Sequence, residues 1–120
     1  MSLAKKIRNI RPSVRAVLIL WQEEFSFRLL AIFGFATLLL SFALQISSIE
    51  FLIIVLTIGI LLAVEALNTA LEELCDHVTP EHHSQIGKIK DIGSGAAFIM
   101  CCAALVIGLI IFIPRLVTLL

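Results

Sequence analysis

Three long apolar runs dominate this chain and leave it few ways to fold. They cover residues 29–46, 49–71 and 92–113. A hydrocarbon core of about 30 Å needs roughly 20 helical residues to cross it, and lipid leaves no partner for an open backbone. Each run therefore predicts a transmembrane helix. With 60% hydrophobic and 15% charged residues over 120 positions, the composition points to a small integral membrane protein. The expected architecture is all-α, a single membrane-embedded domain over 1–120. A tight turn at Ser47-Ser48 joins the first two spans, and a charged connection over Glu72–Asp91 joins the second to the third. No cleavable leader is expected, because the basic start runs into polar Gln22-Glu23-Glu24.

Basic residues set the expected orientation. Lys5, Lys6, Arg8, Arg11, Arg15 and Arg28 precede the first span, Lys88 and Lys90 precede the third, and only Arg115 lies on the opposite side. The positive-inside rule then places the N-terminus and the Glu72–Asp91 connection in the cytoplasm, with the C-terminus outside. Residues 1–27 read as an amphipathic surface helix. Ile7, Ile10, Val14, Val17, Leu18 and Trp21 form its apolar stripe, opposite arginines suited to an anionic leaflet. Pro12 is expected to start a new helical segment within it. The second and third spans carry small-residue stripes, Gly59, Ala63, Ala66 and Ala70 on one and Gly93, Ala97, Cys101, Ala104 and Gly108 on the other. Such stripes let helix backbones approach closely. The three cysteines read as small apolar filler.

Against this background the polar residues stand out. Glu65, Asn68, Glu72 and Asp76 recur at i, i+3, i+7 and i+11, within roughly 80° of arc and about 16 Å along one helix. A carboxylate near the membrane centre costs about 2.5–3.5 kcal/mol even on lenient scales, so this stripe implies use. With Glu50 at the outer boundary, Glu65 lies about 22 Å inward, partly desolvated and suited to a general base. Glu72 and Asp76, nearer water, suit a hard cation such as nucleotide-bound Mg²⁺. Asn68 between them can orient a carboxylate or a substrate hydroxyl. Glu24 sits one turn before Arg28, a spacing that an ordinary helical ion pair also explains. Lys90-Asp91-Ile92-Gly93-Ser94 is expected to open the third span, with Asp91 or a neighbour capping it and Lys90 beside a phosphate-binding helix end. A plain cap with a snorkelling lysine reads equally well. His77, His82 and His83 read as loop residues, Glu73 and Glu81 as solvated charges, and Glu50 as an outer-interface residue.

Glu65-Ala66-Leu67-Asn68-Thr69-Ala70-Leu71-Glu72-Glu73-Leu74-Cys75-Asp76, followed by His83 and Lys90-Asp91-Ile92-Gly93-Ser94, resembles the signature of the small prokaryotic diacylglycerol kinases, a family that includes undecaprenol kinases. Glu24 to Arg28 matches its E-x-x-F-R pattern. The resemblance covers roughly residues 14–113. It implies a homotrimer with composite sites shared between protomers, ATP as phosphoryl donor and a lipid alcohol as acceptor. It further implies Glu65 as catalytic base, Glu24 and Glu72 as metal ligands, and Asn68, Asp76, Lys90 and Asp91 lining the nucleotide and phosphate site. Arg28 and His83 fall within the same motifs and are expected at that site too. The bacterial inner membrane is the implied location, and no nucleic-acid partner is expected. Substrate branch is divided. Leu30 departs from both branches; Gly87 and Gly93-Ser94 look like the diacylglycerol branch, whereas Thr79-Pro80-Glu81 and Gly95-Ala96 look like the other. The balance favours diacylglycerol.

A reading from a different class is a small proton-coupled transporter or channel, since intramembrane acids serve proton relays. Such acids usually sit near the midplane, whereas these gather at one end beside a lysine. A non-catalytic scaffold leaves the acidic stripe unexplained.

Overall fold

The computed structural model describes residues 2–78 and 83–120 as four helices: α1 (Leu3–Glu23), α2 (Phe25–Ala43), α3 (Ser48–Val78) and α4 (Ser84–Leu119). The last three are long and apolar enough to cross a membrane. They pack in sequence, α2 against α3 and α3 against α4, while α1 touches α2. The short α2–α3 turn makes those helices antiparallel. Contacts at both ends of α3 and α4 make that pair antiparallel as well. The N-terminal end of α2, the C-terminal end of α3 and the N-terminal end of α4 therefore share one end of the bundle.

Local chemistry explains the element ends. Gln45 adopts φ 53°, a left-handed turn residue after α2. Ser47 then begins α3 with a capping box. Its Oγ accepts from the Glu50 amide at 3.2 Å, and Glu50 Oε1 accepts from the Ser47 amide at 3.1 Å. Inside the spans, hydroxyls are satisfied by carbonyls one turn back. Thr37 donates to Phe33 O at 2.8 Å, Ser41 to Thr37 O at 2.8 Å and Thr57 to Ile53 O at 2.7 Å. Ser41 can thus be 2% exposed without an orphaned group.

Packing is concentrated at the end opposite the polar stripe. Ile54, Ile111 and Phe112 form the buried cluster, with Leu38, Leu44, Ile46, Ile58 and Ile107 around it. Gly34 brings α2 onto α3: a β-carbon there would stand 2.9 Å from Ile58 Cγ2. Arg115 on α4 donates to Glu50 on α3 and closes this end. Most other apolar side chains of the spans face outward from the single chain.

Several expected boundaries move. The break between surface helix and first span falls at Glu24, not near residue 28, and α2 ends at Ala43, not at Ile46. Pro12 starts no new segment; α1 runs through it. Proline's fixed φ suits a helix, and the carbonyl it leaves unbonded, on Arg8, belongs to an exposed residue. The connection expected over Glu72–Asp91 is mostly helix, since α3 continues to Val78 and α4 starts at Ser84. Hydropathy ends where lipid ends, but the backbone hydrogen bonds run on. Asp91 therefore caps nothing. His83 is the N-cap of α4, its Nδ1 accepting from the Gln85 amide at 3.2 Å. The small-residue faces differ in part from expectation, for of the glycines in them only Gly93 brings two described helices close. Gly59 and Gly108 meet nothing within 4 Å in the chain, and Ala63 and Ala70 are exposed. Instead the polar face of α3 packs on α4. Thr79, Pro80, Glu81 and His82, with the readings placed on them, lie outside the described residues.

Glu50 serves both the cap and the ion pair, whereas Arg115 serves the ion pair alone. Glu50→Ala is expected to lower the thermal unfolding midpoint of the detergent-solubilised protein by more than Arg115→Ala does. Equal losses would show that the capping box contributes nothing.

Candidate active site

The polar stripe forms as its spacing requires, because α3 is unbroken from Ser48 to Val78. Glu65, Asn68 and Glu72 are half-buried along its inner side, and Asp76 is exposed at its end. Asn68 Nδ2 donates to Glu72 Oε1 at 3.2 Å, which fixes that carboxylate's orientation. One turn further, Asp76 Oδ1 accepts from Lys90 Nζ of α4 at 2.8 Å. Lys90 also feels the charge of Glu72. Half-exposed, this pair contributes little to stability; it serves to hold an ammonium group beside the carboxylates.

Gly93 makes this juxtaposition possible. A β-carbon there would stand 2.6 Å from Asn68 Oδ1 and 2.7 Å from Leu71 Cδ2, both far inside van der Waals contact. Only glycine lets the α4 backbone lie against the Asn68 amide. Asn68 Oδ1 is consequently buried, and it has no hydrogen-bond partner among the described residues. Its near neighbour is a Gly93 Cα–H, a weak donor at most.

Glu24 reaches the same region from a different element. It is the lone extended residue between α1 and α2, at φ −107° and ψ 109°. Its charge and that of Glu72 both act on Glu65. Glu65 thus has two further carboxylates near it at one end of the bundle, and all three offer oxygen donors. That chemistry suits a hard cation, and Mg²⁺ on a nucleotide takes one or two protein carboxylates with phosphate oxygens and water. Among the described residues no three or more Asp, Glu, His or Cys converge as a metal cage, so the phosphates would have to complete the coordination.

The remaining expected residues fall in three places. Asp91 is exposed beside Lys90, inside α4 and not at its end. His83 is exposed at the start of α4, about 10 Å along the axis from Lys90. Arg28 turns toward α1, donating from Nε to Trp21 O at 2.9 Å and from Nη2 to Gln22 O at 2.8 Å. Neither the Arg28 contacts nor the Gly93–Asn68 fit was anticipated from the residues. The small-residue stripe of the third span does mark Gly93 as a point of close approach, but nothing in the residues names Asn68 as its partner or the α1 carbonyls as those of Arg28.

The family model for prokaryotic diacylglycerol kinase matches residues 11–112. This chain belongs to that family. An undecaprenol kinase of Bacillus subtilis (strain 168) is 38% identical over 95 residues, covering 79% of this chain and 77% of the relative. A diacylglycerol kinase of Haemophilus influenzae is 29% identical over 111 residues, 92% of this chain and 94% of the relative. A third relative, a diacylglycerol kinase of Pseudomonas aeruginosa, is 31% identical over 96 residues, 79% of this chain and 78% of its own length. Both names describe lipid kinases, and membership in this family makes the chain an enzyme of that class.

Gly93→Ala is expected to push Asn68 off Glu72 and lower kcat/KM for lipid phosphorylation by about 10²-fold, the usual cost of misplacing a site by 1 Å. Gly87→Ala, where no described residue lies within 4 Å, should leave activity close to wild type. Steady-state kinetics on the two variants checks the contrast.

Proposed function

We propose that this chain transfers the γ-phosphoryl group of ATP to the hydroxyl of a membrane lipid at the cytoplasmic face of the bacterial inner membrane. One observation carries the reading. Half-buried Glu65, Asn68 and Glu72 share one side of α3, Asn68 donates to Glu72, and the Lys90 ammonium of α4 meets Asp76 one turn further along the same stripe. In this reading Glu65 accepts the hydroxyl proton as the lipid oxygen attacks the γ-phosphorus. The bond from that phosphorus to the β,γ-bridging oxygen breaks, and ADP leaves. Lys90 neutralises charge on the transferring group, and Asn68 holds Glu72 in place. Glu24 and Glu72 would hold Mg²⁺, which screens the phosphate charge when bound. The transporter reading gives way to family membership.

The finer substrate has support on two sides. Features within the motifs favour diacylglycerol. The 38% identity with the Bacillus protein named undecaprenol kinase, beside 29% and 31% with two proteins named diacylglycerol kinase, supports a polyprenol. We place the polyprenol first. The basic residues at the site end support a cytoplasmic N-terminus and an outside C-terminus. The largely uncovered apolar faces of the spans support association into the trimer that the resemblance implies, with α1 lying on the membrane surface.

Purified protein given labelled ATP, Mg²⁺ and either undecaprenol or diacylglycerol should label undecaprenol faster. Faster labelling of diacylglycerol reverses the substrate order, and labelling of neither refutes the kinase reading. Glu65→Gln should abolish labelling while the protein still elutes as an assembled oligomer. Near-normal activity in that variant would remove Glu65 from the role of base.

A further inference from the structure

We infer that Arg28 is a positioning residue: it clamps the last turn of α1 and so fixes the elbow that carries Glu24 near Glu65. The bearing on metal binding rests on the function proposed above; the clamp does not.

The last carbonyls of a helix lack intrahelical partners. At the end of α1 two of these, on Trp21 and Gln22, are taken by one guanidinium, at 2.9 Å and 2.8 Å. Arginine suits this task because its planar fork presents several donors in fixed directions. The arginine is itself rigidly based. It lies in the first turn of α2, where its amide donates to Glu24 O at 3.0 Å, and it follows Phe27, which is 6% exposed. On the other side the Glu24 amide donates to Leu20 O at 2.9 Å. Glu24 is therefore the one non-helical residue between two helices. Its backbone is tied to both, and the angle between them is braced by the arginine four residues on. The three marked positions of the E-x-x-F-R motif acquire separate tasks. Glu24 supplies the carboxylate, Phe27 anchors α2 and Arg28 holds α1.

The competing role is direct contact with a nucleotide phosphate. Charge alone would serve such a contact, and lysine would keep much of it. A lysine ammonium is a point charge without the fork, and it would lose the two-carbonyl brace.

Trp21 makes the brace observable without turnover. It is the sole tryptophan of the chain, it is exposed, and its carbonyl is one of the two acceptors. Wild type, Arg28→Lys and Arg28→Ala would be compared as full-length protein in lipid vesicles. Iodide quenching of Trp21 would be read without nucleotide or metal, followed by the Mg²⁺ and ATP dependence of lipid phosphorylation. The clamp predicts altered quenching in both variants. It also predicts a roughly tenfold rise in the Mg²⁺ concentration for half-maximal activity, the scale seen when a group supporting a metal ligand is removed. KM for ATP should hold at saturating Mg²⁺. Wild-type quenching in both variants overturns the clamp. So does a raised KM for ATP with an unchanged Mg²⁺ requirement and good rescue by lysine. If the wild-type protein phosphorylates no lipid, the function fails, and the quenching comparison still decides the clamp.

Discussion

The close approach of α4 to α3 at Gly93 is the constraint on which the polar end of this bundle depends. Two helices in lipid gain little from burying apolar surface against each other, so their contact rests on shape and on polar pairing. Removing one side chain at position 93 admits the α4 backbone to the Asn68 amide. Lys90, less than one turn before Gly93, then meets Asp76. Without that approach the carboxylates of α3 would face lipid, where their desolvation has no compensation. The same crossing therefore makes the charged face tolerable in the membrane and brings together the groups to which phosphoryl transfer is assigned in the proposed function.

Glu24 arrives by different physics. It is placed by the backbone, through the one extended residue between two helices, and α1 has no buried residue that could hold it otherwise. The site thus joins the packed α3–α4 face to a carboxylate on an elbow that Arg28 braces.

The sequence revealed the Glu65–Asp76 stripe plainly because each polar residue there violates the apolar pattern around it, and helical spacing does the rest. The spans were legible for the same reason. Helix ends were not. Residues 72–78 and 84–91 are polar and carry no hydropathy signal, although the helices continue through them. The α3 start was readable in principle, since Ser47-Ser48-Ile49-Glu50 has the capping-box form. The Glu50–Arg115 pair was not, because the partners are 65 residues apart. Arg28 shows a further limit. Spacing pairs it with Glu24, but its guanidinium answers the carbonyls of α1, whose end was set by a break that the residue pattern does not mark.

One consequence follows from the two ion pairs that join α3 to α4. Asp76–Lys90 lies at one end and Glu50–Arg115 at the other, about 39 Å apart along α3. A slide of one helix past the other by a single turn, about 5.4 Å, would part both pairs at once and carry Gly93 away from Asn68. The pair of helices is held chiefly by the Glu50–Arg115 pair at one extremity and by the notch at Gly93 near the other, with the exposed Asp76–Lys90 pair adding little. Their register is therefore discrete: the next alignment of the two helices would satisfy neither the pairs nor the close approach at Gly93.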